Sequence, residues 1–160
     1  MRPVLPVAVP ALLAMPRYGG FWVRVAASVI DTLLLFAGGF PVRILLGSVV
    51  TVIGINGEVP TQELLRMRFW VRIAVAIAIN WAYRAGLESS RYQATLGKLA
   101  MRLKVTDLEG HRISLGRATG RFLSKGLSTF ALGIGYLMVG FDEQKQGLHD
   151  RIAGTLVLYR

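Results

Sequence analysis

The stretch Phe21 to Phe40, FWVRVAASVIDTLLLFAGGF, decides how the rest of the chain is read. It is an almost wholly apolar run of roughly 20 residues, the length at which a helix crosses the hydrocarbon core of a bilayer. Arg24 near its start and Asp31 inside it are the charges that interrupt it. An ionised side chain at bilayer depth costs on the order of 3 kcal/mol on insertion scales, so Asp31 needs protein, water or an opposite charge around it. Seven residues make nearly two helical turns, which puts Arg24 and Asp31 on one face about 10 Å apart along the axis. That gap is too long for a direct ion pair unless Arg24 reaches along the helix. Asp31 is therefore expected to find a second partner elsewhere in the fold.

The composition agrees with a membrane setting. The 160 residues are 53% apolar and carry a formal charge of +10, and the mean hydropathy is +0.49. Basic soluble proteins that bind nucleic acid seldom combine such charge with positive hydropathy, so nucleic acid is not expected as a partner. The combination fits a small integral membrane protein whose basic loops obey the positive-inside rule. There is no cysteine, which excludes disulfides and thiolate metal sites.

Upstream, Pro3, Pro6, Pro10 and Pro16 break any helix through residues 1–20, which read as an irregular tail. These prolines also argue against a signal peptide, although Arg2 precedes an apolar stretch. Residues 21–160 read as one transmembrane domain. Downstream, Gly38, Gly39 and Pro41 mark a kink or break before the apolar run 42–55. Either one tilted helix reaches to about Leu46 and then unwinds, or the second run is re-entrant. Residues 56–63, NGEVPTQE, read as a loop.

A second span is expected over about 68–88, rich in alanine, with Trp70 and Trp81 toward its ends. Asn80 within it suits an interhelical hydrogen bond, and Arg84 can snorkel from near the end. Residues 91–125 hold eight cations against two anions, leaving a net six positive charges. Such an excess keeps a segment cytoplasmic, and the N-terminus with it. Within this segment Thr95 is placed to cap a short amphipathic surface helix carrying Leu96, Leu99, Ala100 and Leu103, and LKVTDLEGHRISL suggests a small hairpin turning at Asp107 to Gly110. A third apolar run, 122–141, either crosses or bends near Gly133 and Gly135 as a re-entrant hairpin, with a crossing slightly favoured. The expected class is thus an all-α integral membrane protein of two to three transmembrane helices, spans about 21–46, 68–88 and 122–141, with a cytoplasmic amphipathic helix and a small β-hairpin.

These residues resemble the RDD family of small, mainly bacterial membrane proteins, named for one arginine and two aspartates. Arg24 and Asp31 stand where the family has the arginine and first aspartate, and Asp150 in His149-Asp150 matches the second. Thr95-Leu96-Gly97-Lys98 matches its TxGK, and Val105 to Gly110, Arg121, Gly133-Ile134-Gly135 and Gly154-Thr155 match further pieces. The chain departs from the family at Leu96, where many members carry proline, and in the long apolar run after Pro41. The resemblance implies a multi-pass protein of a bacterial inner membrane. It also implies a role in transport, some members being associated with monovalent cation and proton exchange.

Two functions follow. The first is a transporter exchanging a monovalent cation for a proton, acting as a homo-oligomer because two or three helices enclose little volume. Its charge site would be Arg24, Asp31, His149 and Asp150, supported by Asn80, Arg84, Thr95, Lys98 and Arg121. A partly desolvated carboxylate has the raised pKa that such exchange needs, and a histidine beside an aspartate can relay protons. The second is a non-catalytic accessory protein that binds a partner or lipid, in which Asp31 pairs with Arg24, Arg84 or Arg121 only to lock the bundle. Anionic lipid headgroups are the expected neighbours of the basic segment. No enzymatic motif, cofactor fingerprint or metal-ligand spacing is present; His111 and His149 lack a spaced carboxylate set.

Overall fold

The computed structural model describes residues 16–57, 60–130 and 134–160. The remainder of the proline-rich tail, Glu58 of the expected loop and the Gly133 bend lie outside the described residues. The apolar run forms α1, Phe21–Asn56, a single 36-residue helix with Pro41 inside it. It neither stops at Leu46 nor re-enters. Pro41 removes one backbone donor, a loss that a long helix with intact turns on either side tolerates. At 1.5 Å per residue α1 is about 54 Å long, well beyond the hydrocarbon thickness. Among the described residues it is the helix long and apolar enough to cross a membrane.

The return helix α2, Thr61–Ser89, begins earlier than the sequence suggests. Pro60 precedes it and Glu63 lies in its first turn, where the N-terminal dipole favours an acid. The two helices pack antiparallel, and the face α1 buries is small: Ala27, Gly39, Gly47 and Gly54, with Asp31 among them. Small side chains let backbones approach closely. A Cβ on Gly54 would lie 2.2 Å from the Leu64 side chain, and one on Gly47 would lie 3.3 Å from the Arg72 guanidinium. The other faces of α1 leave Trp22, Leu33, Phe36, Phe40, Leu45 and Ile55 exposed. A continuous apolar surface of that extent is stable against lipid rather than water.

Past α2 the chain builds a cap around the open end of this pair. Helix α3, Leu96–Ala100, leads into strand β1, Leu103–Asp107, and then into α4, Leu115–Phe130. Helices α5, Ile134–Phe141, and α6, Leu148–Ala153, precede the last strand, β2, Thr155–Tyr159. The small sheet is β1 against β2, antiparallel, with Val105 opposite Val157. It is not the expected hairpin. The turn is where the sequence puts it, with Gly110 at φ +87 and the Asp107 carboxylate accepting from the Glu109 and His111 amides. Beyond the 3.0 Å bond from the Asp107 amide to the His111 carbonyl, residues 111–114 form no strand, because the apolar TLVLY segment at the chain's end takes β1 instead. Residues 17–19 then lie along β2: Gly19 donates to the Val157 carbonyl and Tyr159 to the Arg17 carbonyl.

The 122–141 run is two helices rather than one crossing helix. Tyr136 donates to the Lys125 carbonyl at 3.0 Å, a contact that eleven residues of continuous helix, about 16 Å long, exclude. A Cβ on Gly135 would lie 2.6 Å from the Ser128 hydroxyl, so the two helix ends meet closely. Helix α4 buries polar side chains, Arg121, Ser124 and Ser128, beside Ala118, while Leu115 and Leu123 are exposed. The surface helix expected at residues 96–103 is shorter and tucked inward, with Gly97 and Lys98 buried. The core joins both layers, as Ala27 and Ala85 of the helix pair pack with Leu103, Val105, Ile113, Ala118 and Val157 of the cap.

Gly97 is where cap and helix pair approach most tightly: a Cβ there would lie 2.1 Å from the Ala27 carbonyl and 2.9 Å from the Asp31 carboxyl. Gly97→Ala is therefore expected to lower unfolding stability in detergent by about 2 kcal/mol or more, as overpacking does. Gly120→Ala, into open space, is the control that should leave the unfolding midpoint unchanged or raise it.

Candidate functional site

Two buried carboxylates organise the site, and they are answered differently. Asp31 is 1% exposed and takes three donors, none of them a cation. Tyr83 of α2 donates its hydroxyl to Oδ1 at 2.7 Å, Thr95 donates its hydroxyl to Oδ2 at 2.6 Å, and the Gly97 amide donates to Oδ1 at 2.8 Å. Thr95 stands at the N-cap position of α3 but makes no side-chain cap bond. The carboxylate of α1 caps α3 in its place, a placement the positive end of a helix rewards.

Asp31 thus finds its partners elsewhere in the fold, as the gap to Arg24 implied, but they are not Arg24, Arg84 or Arg121. Arg24 turns instead to Asp150, pairing through Nη1 with Oδ2. Its Nε donates to the Gly19 carbonyl at 2.7 Å and its Nη2 to the Lys145 carbonyl. Asp150 is wholly buried and also meets Arg121 Nη2 at 2.7 Å. Its Oδ2 accepts from the Gly147 amide at 3.2 Å, at the N-cap of α6. One aspartate thus ties the start of α1, the middle of α4 and the start of α6.

Glu88, near the end of α2, is the residue that sequence reasoning passed over. It is 2% exposed and gathers Lys98 at 2.5 Å, Arg121 at 3.3 Å and Lys125 at 3.8 Å. Its signal was faint: one acid closing an apolar run, ten residues before a lysine. TxGK now has a physical meaning, since Thr95 and Gly97 bind Asp31 while Lys98 binds Glu88. Two other expected residues play smaller parts. Asn80 donates to the Ala76 carbonyl of its own helix rather than across helices, and His111 stands exposed beside Asp107.

His149 and Asp150 both lie in α6 and are in contact. The imidazole Nε2 lies 3.4 Å from Asp150 Oδ1. The ring packs against Tyr136 at 5.3 Å between centroids. Burial pushes the His149 pKa down to about 3; Asp150 opposes this, and the Arg121, Lys125 and Arg24 cations reinforce it. At neutral pH the ring is therefore uncharged. Burial would raise the Asp150 carboxyl, but Arg121 and Arg24 hold it well below the usual carboxylate range.

Beside this network α1, α2, α4 and α5 form most of the wall of an open-sided cavity of about 1020 Å³. Arg24, Arg84, Lys98, Arg121 and Lys125 line it, and no carboxylate does among the described residues. Its walls are apolar, from Val25, Val29 and Leu33 of α1 to Leu123 and Leu137 across from them. Asp31 lies outside this lining. The site thus separates into a carboxylate satisfied by neutral donors and a basic chamber with apolar sides.

These shifts set an acid response. A histidine whose folded pKa is lowered contributes stability that is complete above its unfolded value of about 6.5 and is lost as pH falls from there toward 3. Asp150, held low, adds loss only below about pH 4. The unfolding free energy of the wild type should therefore fall between pH 6.5 and 4 by up to about 1.4 kcal/mol per pH unit. His149→Gln should flatten that window. A variant with the wild-type slope would assign the loss to another group.

Comparison with known proteins places this arrangement in a lineage. The sequence profile of the RDD family matches residues 18–154. The uncharacterized protein YxaI of Bacillus subtilis (strain 168) is 32% identical over 152 residues, covering 91% of this chain and 100% of its own length. The uncharacterized membrane protein YteJ of the same organism is 28% identical over 155 residues, 93% of this chain and 85% of its own. A proline-rich antigen of Mycobacterium leprae (strain TN) is 28% identical over 172 residues, 93% of this chain and 65% of its own. No solved structure matches the chain. The arginine and two aspartates sought from the sequence are the residues on which the helix pair and its cap close, and the chain belongs to the RDD family.

Proposed function

We propose that this protein is a non-catalytic membrane protein of binding or accessory type, in which the arginine and both aspartates hold the scaffold. The observation that carries the reading is the state of Asp31. A carboxylate that exchanges protons for cations must be reached by both, whereas Asp31 is buried, fully engaged by Tyr83, Thr95 and Gly97 and outside the lining of the cavity. The cavity itself is lined by cations, and like charge repels a cationic cargo. A membrane location accords with the exposed apolar faces of α1 and with the membrane protein among its relatives.

The second reading is exchange of a monovalent cation for a proton by a homo-oligomer. It draws on the family resemblance and on the buried carboxylates, with Asp150 adjoining the cavity-lining Arg24, Arg121 and His149. Proteoliposomes under an imposed pH gradient, with sodium or potassium added, separate the two. The scaffold reading expects no cation-dependent proton flux from wild type. It also expects Asp31→Asn to be less stable in detergent by about 2 kcal/mol, from weakened charge-assisted hydrogen bonds. A flux in wild type that Asp31→Asn abolishes at unchanged stability would reverse the choice.

The same reading orients the protein with residues 91–125, the N-terminal end of α1 and the C-terminus together on the cytoplasmic side of a bacterial inner membrane. In this reading α1 and α2 form a two-span hairpin, and the bond from the Arg160 amide to the Arg102 carbonyl keeps the chain's end beside the basic segment. The chain has no native cysteine. In inside-out vesicles, Arg160→Cys and Arg91→Cys should react with an impermeant maleimide while Gly57→Cys should not. Opposite labelling of Arg160→Cys and Arg91→Cys would overturn the hairpin.

A further inference from the structure

We infer that the cavity beside α1 is a binding site for one anionic phospholipid drawn from the surrounding bilayer, its headgroup against the basic floor and an acyl chain along the apolar wall. This rests on the binding reading above and names its ligand class. The floor is built from cations in excess. Arg24, Lys98, Arg121 and Lys125 share two carboxylates, Glu88 and Asp150, and Arg84 adds a further charge to the lining. Buried cations that outnumber the carboxylates they share repel one another, and an entering anion offsets that cost.

Two observations point the same way. Arg121 is 1% exposed and its Nε has no acceptor among the described residues. Burial pushes the Lys98 ammonium down, Glu88 opposes this, and the nearby Arg121 and Lys125 cations push it lower still. The ligand's other half follows from the walls. Val25, Val29 and Leu33 recur once per turn, a strip about 12 Å long rising from the basic end. Leu33, Leu123 and Leu137 are exposed on its rim, so an alkyl chain can enter sideways from lipid. The volume suits a large amphiphile rather than a bare ion.

The test is native mass spectrometry of the delipidated full chain, given phosphatidylglycerol or phosphatidylcholine at equal concentration. The phosphatidylglycerol adduct is expected to exceed the phosphatidylcholine adduct by about tenfold or more. Gly126→Trp, a cavity-lining position with open space around a new Cβ, should bring the anionic adduct down to the zwitterionic level. Thr32→Phe on the facing wall should do the same and serves if the first variant does not fold. Equal adducts from the two lipids, or an undiminished phosphatidylglycerol adduct in both variants, overturn the inference. Displacement of the lipid by millimolar inorganic phosphate would identify the ligand as free phosphate and overturn it too. The stability of Asp31→Asn does not enter these outcomes, so the scaffold reading stands or falls apart from them.

Discussion

Every buried carboxylate in this protein has to be answered, and the fold is the set of answers. Asp150, contributed by a six-residue helix near the end of the chain, holds Arg24 from the first helix and Arg121 from the fourth. Neither strand of the two-stranded sheet nor the short α6 could persist alone. The ion pairs staple them to helices that already have partners. Removing one member of such a buried set typically costs about 3 to 5 kcal/mol, because it strands the charge left behind. The network therefore specifies the closed arrangement more than it adds net stability.

Asp31 shows the other solution. Its three partners are uncharged, so its negative charge is balanced by dipoles, among them the N-terminus of α3. Having no cation in contact, it leaves Arg24, Lys98 and Arg121 for Glu88 and Asp150. That division concentrates positive charge around the cavity. The same logic accounts for α4, whose polar face turns inward to the network while Leu115 and Leu123 face out. Two exposed leucines opposite a buried polar face favour an apolar surrounding over water.

Much of this was legible beforehand. The apolar run from Phe21, the tight turn at Asp107 to Gly110 and the need to answer Arg24 and Asp31 follow from run length, turn chemistry and the cost of charge in lipid, whereas Asp150 was singled out by the family resemblance. Pairings were not legible. Arg24 and Asp31 lie on one face of one helix, and nothing local says that Arg24 will cross to a residue 126 positions away. Glu88 looked like the polar end of a span. Strand β1 looked like half of a hairpin because local contacts are the ones a sequence displays, whereas its partner lies some fifty residues on.

By itself the sequence determined what must be buried and what must be covered: a helix of spanning length, a cysteine-free chain with a strongly basic segment, and two charges in the apolar run too costly to leave unanswered. Only the tertiary structure decided who answers whom, and whether 122–141 runs straight or folds back. The reason is physical. Hydropathy and turn propensity are local and add along the chain, but the energy of a buried charge depends on the groups that three-dimensional packing brings within a few ångströms of it.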